Sequence, residues 1–239
     1  PVELDIPEDA DNQDQQRNNT YDGDGGVPIG SLFNKLLYAA KHQEGNILLS
    51  DRLNEDSKIL YHRDPTERLE KVAPWLHVDG NPYPAVVDGR VLWIMDGYTT
   101  LDSYPYSQRI PLDDFTNDSR VQRAGVAAQP RENVNYVRNS VKATVDAYDG
   151  TVTLYAWDDD DPVLETWAKT FGNTVQPKAE IPDALLDHFR YPEDLFKVQR
   201  GLLTRYHVTN PATFYGGQDF WLVPNDPTVN GAVPQPPYY

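Results

Sequence analysis

Two acidic segments of the chain carry side chains that could bind a metal ion. The segment Asp22-Gly23-Asp24-Gly25-Gly26 has the alternating aspartates of a calcium-binding loop. An EF-hand also needs an oxygen ligand at its fifth position and a glutamate at its twelfth, and those positions hold Gly26 and Phe33. The second segment is Asp158-Asp159-Asp160-Asp161, for which a solvated loop with favourable charge at a helix N-terminus is the alternative. The candidate calcium ligands are therefore Asp22, Asp24, Asp158, Asp159, Asp160 and Asp161.

Aromatic side chains indicate a possible binding surface. The chain has 15 Tyr, 5 Trp and 7 Phe, and several tyrosines precede Arg109 closely. Tyrosine and tryptophan with one solvated edge are typical of surfaces that bind sugars or proteins. Packing in the core or in a sheet is the alternative. The candidate binding residues are Tyr98, Tyr104, Tyr106 and Arg109.

The sequence carries none of the common catalytic motifs. Its 5 histidines are scattered and form no H-x-x-x-H pair, and no G-x-S-x-G, Walker or G-x-G-x-x-G pattern occurs. The absence of cysteine excludes disulfides, zinc–thiolate sites and thiol nucleophiles. These absences favour a non-enzymatic role. The 37 acidic residues leave open a hydrolase that needs only two well-placed carboxylates.

The charge of the chain excludes one class of partner. With 21 Lys and Arg against 37 Asp and Glu, the formal net charge is −16. A protein this acidic repels phosphate backbones, and no basic cluster with interleaved aromatics offsets that repulsion. We therefore expect no nucleic-acid partner.

The ends of the chain read as parts of a longer protein. Residues 1–26 are polar and acidic, and such a segment buries too little apolar area to order itself. We expect a flexible arm or linker there. The chain has no initiator methionine, no signal peptide and no apolar run of membrane-spanning length.

Periodic segments predict helices after this arm. Ser31 is a good N-cap for a first helix, and Gly45 predicts its end. The apolar face of this helix consists of Leu32, Phe33, Leu36, Leu37 and Ala40. The apolar run 47–49 indicates a short buried strand. Asp64-Pro65-Thr66-Glu67 predicts the start of a second helix, which should end near Ala73.

The middle of the chain predicts two β-hairpins. Residues 85–87 and 91–95 flank Asp88-Gly89, a common two-residue turn. Residues 141–148 and 151–157 alternate apolar and polar side chains around Asp149-Gly150, so one face of this second hairpin should point to the core. Residues 101–135 between the hairpins lack periodicity and predict a long, partly mobile surface loop.

The C-terminal third predicts helices. We expect them over 162–171, over 182–188, from Pro192 onward as the longest, and after Asn210-Pro211. One face of the longest helix consists of Leu195, Phe196, Gln199, Leu202, Leu203 and Tyr206. Helices, hairpins and further helices in this order predict an α+β fold, in which an antiparallel sheet of at least two hairpins packs with helices from the N- and C-terminal parts. We expect residues 27–239 to form a single domain.

Five segments of the chain resemble uncharacterised protein family 0182, and the resemblance covers about residues 20–239. The segments are Gly26-Val27-Pro28-Ile29-Gly30-Ser31-Leu32, Asn46-Ile47-Leu48-Leu49-Ser50-Asp51-Arg52, Asp96-Gly97-Tyr98-Thr99-Thr100, Asn139-Ser140-Val141-Lys142-Ala143-Thr144-Val145-Asp146-Ala147-Tyr148-Asp149-Gly150 and Arg190-Tyr191-Pro192-Glu193-Asp194-Leu195-Phe196.

That family consists of bacterial multi-pass membrane proteins, common in actinobacteria, with a large soluble domain outside the membrane. The resemblance implies that this chain is part of the extracytoplasmic domain at the cell membrane, and that membrane helices elsewhere in the protein are among its partners. The family supplies no reaction and no catalytic residues. We expect a domain that binds a lipid, a glycan or a protein of the cell envelope. The alternative is an envelope hydrolase or transferase that uses Asp/Glu chemistry, with or without calcium.

Overall fold

The computed structural model describes residues 2–4, 18–21, 23–50, 53–123, 126–172 and 174–238. The chain forms two compact units. The first comprises Pro1–Arg63 and Tyr148–Thr151, and the second comprises Asp64–Ala147 and Val152–Tyr239. Most of the arm predicted over 1–26 lies outside the described residues. The prediction of a single domain over 27–239 stays a prediction.

The described strands are β1 (Val2–Leu4), β2 (Asn18–Thr20), β3 (Val27–Pro28), β4 (Lys58–Ile59), β5 (His77–Val78), β6 (Tyr83–Val87), β7 (Arg90–Leu101), β8 (Ile110–Pro111), β9 (Asn133–Val134), β10 (Tyr136–Asp146), β11 (Val152–Ala156) and β12 (Val175–Gln176). The described helices are α1 (Leu32–His42), α2 (Asn46–Leu49), α3 (Pro65–Val72), α4 (Leu112–Thr116), α5 (Ser119–Gln122), α6 (Pro162–Phe171), α7 (Asp183–Leu186), α8 (Glu193–Tyr206) and α9 (Pro211–Tyr215), with a 3-10 helix at Lys178–Glu180.

The first unit contains the helix that Ser31 was expected to cap, and the Ser31 hydroxyl accepts from the Asn34 amide at 3.2 Å. The helix ends at His42, and Gln43 caps it with a left-handed φ of 54°, so the predicted stop at Gly45 is wrong. The strand predicted over 47–49 is also wrong, because these residues form the short helix α2. The Glu44 carboxylate accepts from the Asn46 amide at 3.1 Å and so favours a helical turn over an extended chain.

The second unit is built on a six-stranded sheet with the order β12-β11-β10-β7-β5, in which β6 also pairs with β7. Both predicted hairpins are present: β6 pairs with β7 across Asp88-Gly89, and β10 pairs with β11. Asp88 and Gly89 have φ values of 49° and 80°, the left-handed values that a type I′ turn requires. The α+β prediction is confirmed.

The main hydrophobic core lies on one face of this sheet. Leu69 of α3 and Leu164 of α6 pack against the buried residues of β10 and β11. Those strand residues are Val141, Ala143, Val145 and Leu154. Ile94, Tyr155 and Leu185 belong to a second, smaller apolar core of the same unit. The periodicity of the second hairpin therefore predicted its core face correctly.

Helix α8 differs from its sequence pattern. Its buried residues are the charged Glu193, Asp194 and Lys197, whereas Leu203 and Tyr206 of its apolar face are 54% and 63% exposed. The segment predicted as a long surface loop also contains structure. Residues 102–109 are exposed, but α4, α5, β8 and β9 follow, and Asp118 caps α5 from a fully buried position.

Candidate functional site

The predicted aromatic binding residues do not form one surface. Tyr98 lies in β7 and is 1% exposed, and its hydroxyl donates to a carboxylate oxygen of Asp79. Tyr104 is half-exposed and stacks on Tyr136 with ring centroids 5.8 Å apart. Tyr106 is fully exposed. The Arg109 Nε donates to the carbonyl of Asp102. Tyr98 therefore belongs to a buried network, and the exposed residues stay a predicted surface.

Of the predicted calcium ligands that the structure describes, the carboxylates of Asp158 and Asp161 have other partners, and the remaining ones are exposed. Asp22 lies outside the described residues, and the exposed Asp24 donates its backbone N–H to Asp149 at 3.1 Å. Asp158 forms an ion pair with Arg138 at 2.5 Å, and Asp159 and Asp160 are exposed. Within the described ranges, no group of three or more His, Cys, Asp or Glu side chains is arranged to hold a metal ion. The calcium site stays a prediction.

Asp161 ends that acidic run as the N-cap of α6. Its carboxylate accepts from the backbone N–H groups of Val163 and Leu164, at 3.0 and 3.3 Å. Burial raises the pKa of this carboxyl. Hydrogen bonds from Ser140, Thr99 and Tyr136 together lower the pKa by more than burial raises it, so the net shift is downward. The alternative interpretation of the run, charge at a helix N-terminus, therefore describes Asp161.

A buried set of charged residues lies on the face of the sheet opposite the main core. A register shift between Asn139 and Val141 inserts one extra residue into β10 opposite β7. The bulge brings Asn139 and Lys142 to the same side of the strand, although they are three residues apart. There the Lys142 ammonium pairs with Asp96, and the Asn139 amide donates to Asp96 at 2.9 Å.

Asp79 follows strand β5 and lies at the start of α8. Its carboxylate accepts from the backbone N–H of Asp194 at 2.9 Å and from the Tyr98 hydroxyl. The Tyr98 oxygen in turn accepts from the backbone N–H of Leu195 at 3.2 Å. Two free N–H groups of the first helical turn are thus satisfied by side chains from the sheet. This contact fixes the helix against the ends of β5 and β7.

Lys197 is the centre of the helical part of this set. Its side chain is completely buried, and its ammonium lies 2.9 Å from Asp118, 3.0 Å from Glu193 and 3.3 Å from Asp194. Burial alone would lower the pKa of Lys197, but the three carboxylates outweigh burial and raise the pKa. We call Asp79, Asp96, Tyr98, Asp118, Lys142, Glu193, Asp194 and Lys197 the ionic cluster.

Two carboxyl groups of the ionic cluster hold protons more tightly than usual. Burial raises the pKa of Asp96 to about 6, against the opposing charge of Lys142. Burial and the charge of Asp79 raise the pKa of Asp194 to about 6. Burial, followed by the charge of Asp79, raises the pKa of Tyr98 well above its ordinary value, so Tyr98 stays a hydrogen-bond donor.

A polar cavity of about 350 Å³ opens onto the ionic cluster. Asp79 and Asp96 line it from the sheet, and Glu193 and Arg120 line another part of its wall. Arg120 donates to Glu193 at 2.8 Å. The Arg190 guanidinium lies 4.4 Å from the centre of the Tyr83 ring. The polar cavity is also lined by Asn81, Tyr83, Arg190, Tyr191 and Tyr238.

The polar cavity can act chemically in two ways. Fixed carboxylates, guanidinium groups, an amide and phenols can bind the polar groups of a small ligand without rearrangement. A carboxyl with a pKa near 6 can also donate a proton close to neutral pH. The positions of these side chains therefore fit either a binding site or an acid–base site.

Sequence reasoning missed most of the ionic cluster, although two signals were present. Lys142 interrupts the small apolar residues Val141 and Ala143, and Asp96 directly follows the apolar run 91–95 in a strand. A charged residue within such a segment needs a buried partner. The charges on α8 gave no signal, because Glu193 and Asp194 match the ordinary pattern of a helix start.

Comparison with known proteins places the chain in a family. The model of the uncharacterised protein family UPF0182 matches residues 2–239. A UPF0182 protein of Salinispora tropica is 60% identical over all of this chain and 24% of its own length, and one of Thermobifida fusca is 61% identical over 93% of this chain and 22% of its own length. A UPF0182 protein of Frankia alni is 56% identical over all of this chain.

The chain thus spans about a quarter of the length of the curated relatives it matches. No solved structure matches it. Among the described residues, every helix is too short or too polar to cross a membrane. The organisms of the relatives indicate an actinobacterial distribution. The match over 2–239 and the identity of 56–61% to these relatives show that the chain belongs to the uncharacterised protein family UPF0182.

Proposed function

We propose that this chain is a ligand-binding part of an extracytoplasmic domain in a membrane protein, and that its polar cavity binds a small polar component of the cell envelope. One observation carries the binding proposal: charged and hydrogen-bonding side chains from the sheet, from Arg120 and from the start of α8 converge on one cavity. The family resemblance supports the extracytoplasmic location. Membrane helices in the rest of the protein would then be partners of this domain.

The ionic cluster supports binding because it prepares the wall of the cavity in advance. Asp79 is held by Tyr98 and the α8 backbone, and Glu193 is held by Arg120, Asn81 and Lys197. Side chains fixed in this way lose little conformational entropy when a ligand arrives. The polar cavity is large enough for a molecule of the size of a monosaccharide.

Native mass spectrometry tests the binding proposal directly. The chain is incubated with an extract of envelope glycans and lipids, with and without calcium, and bound masses are recorded. We expect a discrete adduct that Arg190→Gln weakens. Arg131→Gln is the matched control, because Arg131 is exposed and outside the polar cavity. Bare protein under all conditions would contradict the proposal, and an adduct that requires calcium would support the acidic segments as its site.

The location is tested by labelling from outside the cell. This chain has no cysteine, so Tyr215→Cys, at a position that is 88% exposed, adds one thiol, and the whole protein without the change is labelled in parallel as the background. We expect a membrane-impermeant maleimide to label this thiol in intact cells that express the whole protein. Labelling only after the cells are opened would contradict the extracytoplasmic location.

A second candidate function rests on Asp96. This carboxyl lines the polar cavity with a pKa of about 6, as a general acid in glycoside hydrolysis requires. A hydrolase would release new reducing ends from envelope glycans, and Asp96→Asn would stop the release. Binding of an unchanged glycan by both the wild-type chain and Asp96→Asn would exclude this candidate.

A further inference from the structure

We propose that the ligand of this domain is an oligosaccharide with an anionic group, and that it occupies the polar cavity together with a second cavity beside it. This inference rests on the proposed binding function and names the ligand class. The second cavity has a volume of about 750 Å³ and is lined in part by Arg190 and Tyr191, which also line the polar cavity. We call the two cavities together the groove.

The contacts of the ionic cluster join the two halves of the groove. Asp96 lines the polar cavity, and its ion-pair partner Lys142 lines the second cavity. Lys142 is held there by the carbonyl of Arg190, which accepts from its ammonium at 3.1 Å. The groove therefore has a continuous polar boundary around Arg190. A ligand longer than one sugar residue can contact both halves.

Aromatic rings line the second cavity next to planar polar groups. Trp157 and Phe189 contact each other edge to face with centroids 5.6 Å apart, and Tyr191 is 51% exposed. Asp158 and Gln199 lie in the same wall. Sugar rings present C–H faces to aromatic side chains and hydroxyl groups to carboxylates and amides, so this mixture fits a carbohydrate.

Arg190 determines the charge of the ligand. Its guanidinium stacks on the Tyr83 ring, and among the described residues no carboxylate forms an ion pair with it. Of the other charged residues that line the two cavities, Asp96 pairs with Lys142, Glu193 with Arg120 and Arg138 with Asp158, whereas Asp159 and Asp160 of the second cavity are exposed. A planar guanidinium at the mouth of a cavity suits a carboxylate or phosphate group. The ligand should therefore carry one such group near Arg190.

Isothermal titration calorimetry with saccharides of defined length tests this inference. The probes are glucuronate, hyaluronan tetrasaccharide and hexasaccharide, neutral maltose and maltotetraose, and tetraglutamate as an acidic peptide. We expect the hyaluronan tetrasaccharide to bind at least about tenfold more tightly than glucuronate, and the neutral sugars to bind weakly. Arg190→Gln should lower the affinity for every acidic probe about tenfold.

Two further variants separate the halves of the groove. Trp157→Leu and, as a separate variant, Lys178→Gln change the second cavity, where the exposed Lys178 ammonium lies 4.2 Å from the centre of the Trp157 ring. We expect both variants to remove the gain with length while the affinity for glucuronate stays unchanged. Trp221→Leu is the matched control, because Trp221 is 58% exposed and lines neither half of the groove. Thermal unfolding checks that each variant is folded.

Each outcome decides between the two proposals. Binding of glucuronate without any gain with length overturns the groove and leaves the binding function standing. Tighter binding of tetraglutamate or of neutral sugars overturns the anionic saccharide as the ligand class. An envelope adduct in native mass spectrometry without binding of any saccharide overturns this inference alone. Bare protein in both experiments overturns the proposed function as well.

Discussion

The two faces of the six-stranded sheet differ in what they bury: one carries the main apolar core, and the other carries buried charges beside a smaller apolar core. On one face, Val141, Ala143 and Val145 pack against α3 and α6 as an ordinary hydrophobic core. On the other face, Lys142 of the same strand pairs with Asp96. Apolar packing depends on shape and area alone, whereas each buried charge depends on a particular partner. The first face should therefore tolerate conservative changes, and the second should not.

The largest effect is expected from Lys197→Met on the charged face. The change leaves Asp118, Glu193 and Asp194 buried together without their cation. We expect a loss of about 3–5 kcal/mol in the free energy of unfolding, measured with urea. The exposed Lys169→Met is the control and should change the free energy by less than about 0.5 kcal/mol. Equal effects of the two changes would contradict the contrast between buried and exposed charge.

On the apolar face, Leu69→Ala should have the next largest effect. Leu69 is completely buried in the main core, and its truncation leaves a cavity. We expect a loss of about 2–4 kcal/mol. Because no charged group lies in that core, the loss should be the same at pH 5 and pH 7. A loss that depends on pH would show that the two faces are energetically coupled.

The pH dependence of stability distinguishes the charged face of the sheet from the apolar face without any mutation. The pKa of Asp96 is raised from 3.8 to about 6 on folding, and that of Asp194 is raised to a similar value. The folded state therefore binds more protons than the unfolded state between about pH 4 and 6, so stability should fall as the pH rises through this window. For Asp96 alone the fall is on the order of 3 kcal/mol. Asp96→Asn should flatten the curve measured by urea unfolding, and an unchanged curve would contradict this origin.

Two other aspartates limit stability at lower pH. Hydrogen bonds from Ser119 and Thr228 lower the pKa of Asp226 to about 2, and the pKa of Asp161 is also lowered. Groups of this kind stabilise the folded state above their unfolded pKa, and that stabilisation is lost as the pH falls toward their folded pKa. The free energy of unfolding should therefore be largest near the pKa values that carboxyl groups have in the unfolded chain, at about pH 4.

The smallest effect is expected from Arg138→Gln. Arg138 and Asp158 form a partly exposed ion pair, with 35% and 26% of their side chains accessible. We expect a loss of about 0.5–1 kcal/mol at low salt that shrinks toward zero in 1 M salt. The loss caused by Lys197→Met should persist at the same salt concentration. If salt removed both losses equally, burial would not be the cause of the difference.

The sequence predicted the apolar face better than the charged one, for a physical reason. Apolar alternation in 141–147 and the turn Asp88-Gly89 are local signals, and local signals determined the hairpins. The pairing of Lys142 with Asp96 joins two strands that are distant in sequence. The sequence does not show what covers the alternate residues of β10.

Helix α8 gives the clearest case of this limit. Its pattern identified an apolar face, yet the buried residues are Glu193, Asp194 and Lys197. The close packing of Gly201 against Phe115 explains part of this orientation, because a Cβ at position 201 would lie 2.2 Å from the Phe115 ring. Amphipathic periodicity shows that a helix has two faces, but the partners in three dimensions decide which face is buried.

The connection between β7 and β10 also affects the order in which this unit folds. Each of the two hairpins joins strands that are neighbours in sequence, so each can form within microseconds. The central pairing of β7 with β10 must instead close the segment 102–135, and contacts of that separation form slowly. We expect the docking of two preformed hairpins to limit the folding rate. Asp96 and Lys142 would then remain hydrated in early folding stages and lose their water only in this last association.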